Sequence, residues 1–494
     1  MPTRIRGGPG VIMRLKPPIQ GTRSSLAPPG RRPPLTPGKI HPGPFHWSRR
    51  IKATPADLFG ILARLWPMLS GPVTALLIAS CFTRELQGYY YTFGSLLAIQ
   101  TFFDLGFGNV IARFASHEWS RLYLNERGRI SGDPASLSRL AGLGRLLFKW
   151  YAAAGTLVAV GLGLLGHLFF SVSPNPGIRW LLPWWTLCPL TGLYLCLGAA
   201  LYLLDGCNQV DQTYAYRFYL AVLQSLALWS VLLLGAGLWT PSFVAAGTVV
   251  MSAVFLWKKY RHFFQSLLSP AKSHPIDWRR QIWPMQWKIA LIWTNGYLIF
   301  SLFTPVLFRF HGPAAAGQMG MTWSLIYTLS MLSYTAISTK IPHWGILAAR
   351  KNYRELDDLF FRSLLQSLVV MLLGALLVEG GIILLSRLQP PLAMRLLSPL
   401  PAGMLLLGAI FNHITVSLSA CLQAHKEAPF WATTSAGGLL AVFLTLFLGS
   451  RYGAHGVALG FLIVQLAMLM PNAVIFLRSR AAWLASPAPF PEFV

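Results

Sequence analysis

About a dozen apolar stretches, each long enough to cross a bilayer, recur from Leu58 nearly to the C-terminus, and they leave this chain few folds to choose from. A helix crossing a ~30 Å hydrocarbon core needs ~20 mostly apolar residues. Of the 494 residues, 54% are hydrophobic and 11% are charged. A soluble domain runs near ~25% charged. The pattern predicts an all-α, polytopic membrane protein with about twelve transmembrane helices, short loops and no large soluble domain.

Hydropathy places spans at about 59–82, 89–114, 150–170, 180–204, 215–239 and 242–257, then at about 287–308, 315–339, 363–386, 398–422, 430–450 and 455–477. Cytoplasmic loops of membrane proteins collect Lys and Arg. With the N-terminus inside, the inner loops and the end after the last span hold 21 basic residues and the outer loops six, Arg84, Arg179, Arg309, Arg387, Arg395 and Arg451. This asymmetry predicts both termini on the cytoplasmic side and an even number of spans. The formal charge of +26 therefore reads as membrane orientation and argues against a nucleic-acid partner. The five cysteines form no ligand or disulfide pattern, and neither a metal nor a cofactor is expected.

Residues 1–57 hold twelve prolines and eleven Lys or Arg, with Asp57 as the one acid. Such a segment cannot bury a core and reads as a disordered cytoplasmic tail held against anionic lipid. The remaining divisions are a first lobe over 58–257, a cytoplasmic linker over 258–286, a second lobe over 287–480 and a C-terminal tail over 481–494. The two sets of six spans look like halves of a duplication. Gly88 and Ser95-Leu96 in span 2 match Gly317 and Ser324-Leu325 in span 8. Spans 4 and 10 exit alike, at Leu204-Asp205-Gly206 and Leu422-Gln423-Ala424. Repeats packed about a central pathway are the usual plan of secondary transporters. Pro67, Pro72, Pro183, Pro189 and Pro305 fall within the spans and are candidate kinks.

Ionisable groups inside the spans are few, and each is a functional candidate because an unpaired charge in lipid is costly. Arg64 lies about 6–8 Å inside span 1 at ~1.5 Å per residue. Asp104 lies at a compatible depth in span 2. The two either line a cavity on the cytoplasmic side or form a structural ion pair. Lys288, flanked by Trp283 and Trp287, is either an interfacial anchor or a cation at a cavity mouth. Glu379, deep in span 9 toward the outer face, is a candidate for ion coupling, and Asn412 and His413 in span 10 are candidates for coupling or hydrogen-bonded packing. The outer loops are short and nearly devoid of the Asp, Glu and His that a membrane transferase needs, and no Walker motif is present. The chain reads as a carrier of something anionic, not an enzyme.

The run from Glu85 through Gly88, Tyr89, Tyr90, Tyr91, Asp104 and Gly106 resembles the second-span signature of bacterial polysaccharide biosynthesis proteins. Leu204–Gln209, Met285–Ala290, Phe303–Phe308 and Gly317–Met321 are similar to the same family. That family belongs to the multidrug/oligosaccharidyl-lipid/polysaccharide (MOP) flippase superfamily, and the resemblance covers about residues 55–480. It implies two six-helix lobes in a V, opening alternately to either side of a bacterial inner membrane. It implies a lipid-linked oligosaccharide on a polyprenyl pyrophosphate as cargo, with membrane lipids and polysaccharide synthesis machinery as partners. Lipid II flippases carry fourteen spans and several cavity arginines, which sets this chain apart from that branch. Two alternatives stand beside the exporter reading. One is a cation-coupled multidrug extruder of the same fold. The other is a non-transporting accessory subunit of an exopolysaccharide synthase.

Overall fold

Long runs of Leu, Ala, Val and Phe have only their own backbone to hydrogen-bond in lipid, so they coil into helices. The computed structural model describes residues 55–104, 107–172, 177–268, 283–388, 391–425 and 429–485. Within these, the side chains of residues 55–57, 64, 109, 283–286, 288–289 and 292–293 lie outside the description. The described residues belong to one compact unit, Ala53–Val494. Nearly all of the tail expected over 1–57 falls outside the described residues, as do residues 269–282 of the linker read over 258–286 and residues 486–494.

The first half contains α1 (Pro55–Cys81), α2 (Arg84–Leu97), α3 (Thr101–Asp104), α4 (Phe107–Trp119), α5 (Pro134–Ser171), α6 (Leu181–Gly206), α7 (Val210–Leu233) and α8 (Thr240–Leu267). The second half contains α9 (Trp283–Phe300), α10 (Phe303–Ser338), α11 (Ile341–Ala349), α12 (Tyr353–Leu388), α13 (Pro399–Ala424) and α14 (Trp431–Ala485). Nine helices among the described residues are long and apolar enough to cross a membrane. Two of these stretches double back at a glycine in the left-handed region, Gly312 (φ 84°) and Gly453 (φ 59°). The broken stretch from α2 to α4 adds one more crossing. Twelve crossings result, six in each lobe.

Three differences from the sequence reading have physical causes. Span 2 is not one helix, because a 3-10 turn at Ala98–Gln100 interrupts it beside Asp104. α8 runs ten residues past the apolar stretch read as ending near 257, since helix continues readily into water once it is nucleated. The loop after α4 forms a short antiparallel hairpin, β1 (Leu122–Leu124) with β2 (Ile130–Gly132). Leu122 and Ile130 bury their side chains, and the Ile130 amide donates to Ser266 Oγ on α8 at 3.2 Å.

Helix ends follow local chemistry. Thr83 caps α2 by accepting from the Leu86 amide at 3.2 Å. Asp133 caps α5, with Pro134 as its first helical residue. Pro67, Pro72 and Pro189 lie inside helices. Pro183 and Pro305 occupy first turns, where no intrahelical bond is lost.

The N-terminal end of the bundle is the one at which α1 begins, and the opposite end is distal. The apolar packing differs between the two. One core spans both lobes in the distal half, joining Tyr89, Phe93, Phe170 and Trp184 to Phe303, Phe308, Met319 and Leu405. Toward the N-terminal end the packing separates. One core there contains only first-lobe residues, such as Phe107, Leu147, Leu203 and Phe263. Another contains only second-lobe residues, such as Trp344, Phe360, Leu418 and Phe476.

Candidate functional site

The lobes meet at the distal end through α2 and α10, and glycine makes that approach possible. A Cβ on Gly88 would lie 1.9 Å from the Pro313 carbonyl oxygen, and one on Gly317 would lie 2.9 Å from the Gly88 nitrogen. One on Gly320 would lie 2.4 Å from Tyr91 Cβ. Gly88 and Gly317 are the positions matched between the two halves, so equivalent helices of the repeat cross at equivalent residues. α6 and α13, the other matched pair, are both 26 residues long and end at Gly206 and Ala424.

Polar contacts lock this seam. Gln87 Nε2 donates to the Gly317 carbonyl at 2.9 Å and to the Arg395 carbonyl at 3.1 Å. The Arg395 guanidinium donates to the Phe82 carbonyl at 2.5 Å and to Gln87 Oε1 at 3.4 Å. Burial and the neighbouring Arg84 push the Arg395 pKa below the ordinary guanidinium value, with Glu85 opposing them. The Leu397 amide donates to Thr322 Oγ1 at 2.9 Å. Phe308 packs edge-on against Tyr89 at 4.9 Å and Phe170 at 5.3 Å between ring centroids. Deeper in the bundle, Phe102 meets Tyr297 of the second lobe at 5.0 Å.

The first lobe also holds a charged and hydroxyl-rich cluster. Asp104 is half-buried beside the 3-10 break and accepts a hydrogen bond from the Tyr151 hydroxyl of α5. The Tyr202 ring of α6 lies against Gly108, where a Cβ would sit 2.1 Å from the ring. Three residues further along α6, Asp205 pairs with Arg217 of α7 at 2.5 Å and accepts from Thr213 Oγ1 at 2.6 Å. Arg217 also lies 5.6 Å from the Tyr214 ring centroid. Arg64 stands on α1, but its side chain and that of Lys288 lie outside the described ones. The structure gives Asp104 a hydroxyl partner, and the Arg64 pairing lies outside the described side chains.

The second-lobe candidates separate. His413 is 3% exposed, and its Nε2 lies 3.0 Å from Ser367 Oγ. Asn412 is half-buried one residue away. Glu379 stands apart from both, on α12 beside the first turns of α13. Gln465, fully buried on α14, has neither amide atom bonded among the described residues. Sequence reading passed over Gln465, Gln87 and Tyr151 because none carries a charge. Arg217 lies near the start of α7, and only the fold brings Asp205 beside it.

No family model matches the chain, and no curated protein matches its sequence. Its structure is similar to several solved transporters. A lipid II flippase, MurJ, in an inward closed conformation superposes with a TM-score of 0.58 at 15% identity, covering 86% of this chain and 90% of that one. The multidrug transporter DinF-BH in complex with R6G gives 0.54 at 15% identity, over 87% and 97%. An inward-facing multidrug resistance MATE family transporter of the MOP superfamily gives 0.52 at 12% identity, over 85% and 100%. At these identities the likeness concerns architecture, and this chain has the V-shaped fold of two six-helix lobes seen in MATE and MurJ transporters.

Proposed function

We propose that the protein is a flippase that exports a lipid-linked oligosaccharide or polysaccharide precursor by alternating access between its two lobes. The division of the apolar packing carries this reading. A single core joins the lobes in the distal half, and each lobe keeps its own core toward the N-terminal end. Lobes packed this way can part at the N-terminal end without disrupting either core. The lipid tail would stay in the bilayer while the polar head passes between the lobes. Release on the distal side then requires the Gly88–Gly317 crossing and the Arg395 contacts to open.

The membrane we assign is a bacterial inner membrane, with both termini cytoplasmic. Arg64 and Lys288 are the residues we assign to the anionic headgroup, because guanidinium and ammonium groups suit pyrophosphate. Asp104 is assigned to the same pathway. The test is reconstitution in proteoliposomes with a fluorescent polyprenyl-pyrophosphate oligosaccharide, scored for translocation. No transfer above protein-free vesicles, with the protein correctly folded, would sink the proposal.

One observation favours a second reading, a cation-coupled extruder of cationic drugs. The first-lobe cluster brings two carboxylates, Asp104 and Asp205, near the pathway, with Arg217 paired to Asp205. Uptake of a cationic dye by the same vesicles, driven by an imposed ion gradient, distinguishes the two cargoes.

A further inference from the structure

Glu379 occupies a setting that the transport cycle above does not use. A groove of about 500 Å³ opens beside it between α12 and α13, lined by Glu379, Pro399, Leu400, Gly403, Met404 and Leu407. Every other lining residue is apolar. Glu379 Oε2 is buried and has no hydrogen-bond partner among the described residues. Gly403 keeps the floor low, since a Cβ there would come within 3.4 Å of Glu379 Oε1. Gly380 and Gly381, next along α12, face open space.

The groove faces the bilayer. Leu400 and Leu407 on its wall are 61% and 42% exposed, and Leu376, Leu377 and Leu384 of α12 are exposed around it. Its upper end is shallow. Gly403 lies one turn, about 6 Å, from the first residue of α13, and Glu379 lies nine residues, about 13 Å, from the end of α12. The groove therefore runs from near the headgroup boundary into the hydrocarbon. A carboxyl oxygen left unpaired against lipid is costly, so this geometry calls for a donor, and the charge favours a cationic one.

We propose that this groove binds the ammonium headgroup of an aminophospholipid drawn from the surrounding bilayer. The ammonium donates to Glu379, and an acyl chain lies against Leu400, Met404 and Leu407. The bilayer is the source because the groove opens onto lipid-facing surface. This inference holds whatever cargo the lobes carry.

The test is native mass spectrometry of the full-length protein released from micelles containing equal phosphatidylethanolamine, phosphatidylcholine and phosphatidylglycerol. The wild type should retain phosphatidylethanolamine over phosphatidylglycerol by about tenfold, in line with a charge-assisted hydrogen bond. Phosphatidylcholine, which has the charge without an N–H donor, should be retained less than phosphatidylethanolamine. Glu379→Gln should abolish the preference, and Gly403→Leu should fill the groove and lower retention of the bound lipid. Equal retention of all three lipids by the wild type, or phosphatidylcholine matching phosphatidylethanolamine, overturns the proposal. So does an unchanged preference in Glu379→Gln. Should that variant fail to fold, unchanged phosphatidylethanolamine retention in Gly403→Leu overturns it instead.

Discussion

Asp104 shows how much one residue depends on its surroundings. Its carboxylate sits at membrane depth beside a helix break, where backbone regularity is lost only if other groups take up the freed polar atoms. Tyr151 supplies one of its contacts. Removing that donor in Tyr151→Phe should cost about 2 kcal/mol, the range for a hydrogen bond to a charged group, read as a lower melting temperature in detergent. Asp104→Asn keeps a polar group in place and removes the charge. We expect its melting temperature to stay close to wild type while translocation falls about tenfold or more, given how costly and purposeful such charges are in membranes. Arg64 gives a sharper division. If it meets a pyrophosphate, Arg64→Ala should abolish translocation with folding intact, and Arg64→Lys should rescue only in part, because ammonium lacks the bidentate contact. If it only balances Asp104, Arg64→Ala should destabilise the protein, and adding Asp104→Ala should restore both stability and transport.

Among the elements, the crossing of α2 and α10 is the least tolerant of change. Gly88→Leu must displace the Pro313 carbonyl, which a Cβ alone would approach to 1.9 Å. Overpacking of this kind costs ~1–3 kcal/mol, and here it acts at the seam. The expected outcome is a distal end held further open, seen as longer spin-label distances between the two lobes. Unchanged distances would show that the seam yields elsewhere. The start of α5 tests a different force. The Ser136 hydroxyl and amide hold the Asp133 carboxyl below the usual carboxylate range. A depressed folded pKa means that the cap contributes above the unfolded value and is lost as pH falls through the folded one. Amides 135–139 should therefore lose protection from hydrogen exchange at acidic pH in the wild type. In Asp133→Ala they should be less protected at neutral pH and show no such transition.

For the whole molecule, orientation and the cycle are both open to direct tests. From the 21-to-6 basic asymmetry we expect the N-terminal end to face the cytoplasm. Single cysteines in the loop at 171–179 should react with a membrane-impermeant reagent added outside. Cysteines in 258–281 should react only from inside, and external labelling there would refute the topology. A cysteine pair replacing Gln87 and Gly317, whose side chain and carbonyl meet at 2.9 Å, should form a disulfide that ties the lobes together distally. Oxidation should stop translocation and reduction should restore it. Transport that continues with the bond intact would show that the seam need not open.

Length and hydropathy alone determined twelve helices, two matched halves and the asymmetry of charge, because a helix in lipid must satisfy its own backbone and an apolar run of this length has no other solution. The match of Gly88 to Gly317 was legible for the same reason, since both stand at one register of a repeated helix. Which residues meet was decided by the tertiary structure. Asp205 and Arg217 are separated by the turn between α6 and α7, and Arg395 reaches Gln87 across 308 positions. The hairpin at Leu122–Gly132 carries no apolar run to announce it. Asp104 was visible as a charge, and Gln465 was invisible among apolar neighbours. Periodicity records what one helix needs from lipid, whereas a site is made of contacts between helices, and those exist only once the lobes have packed.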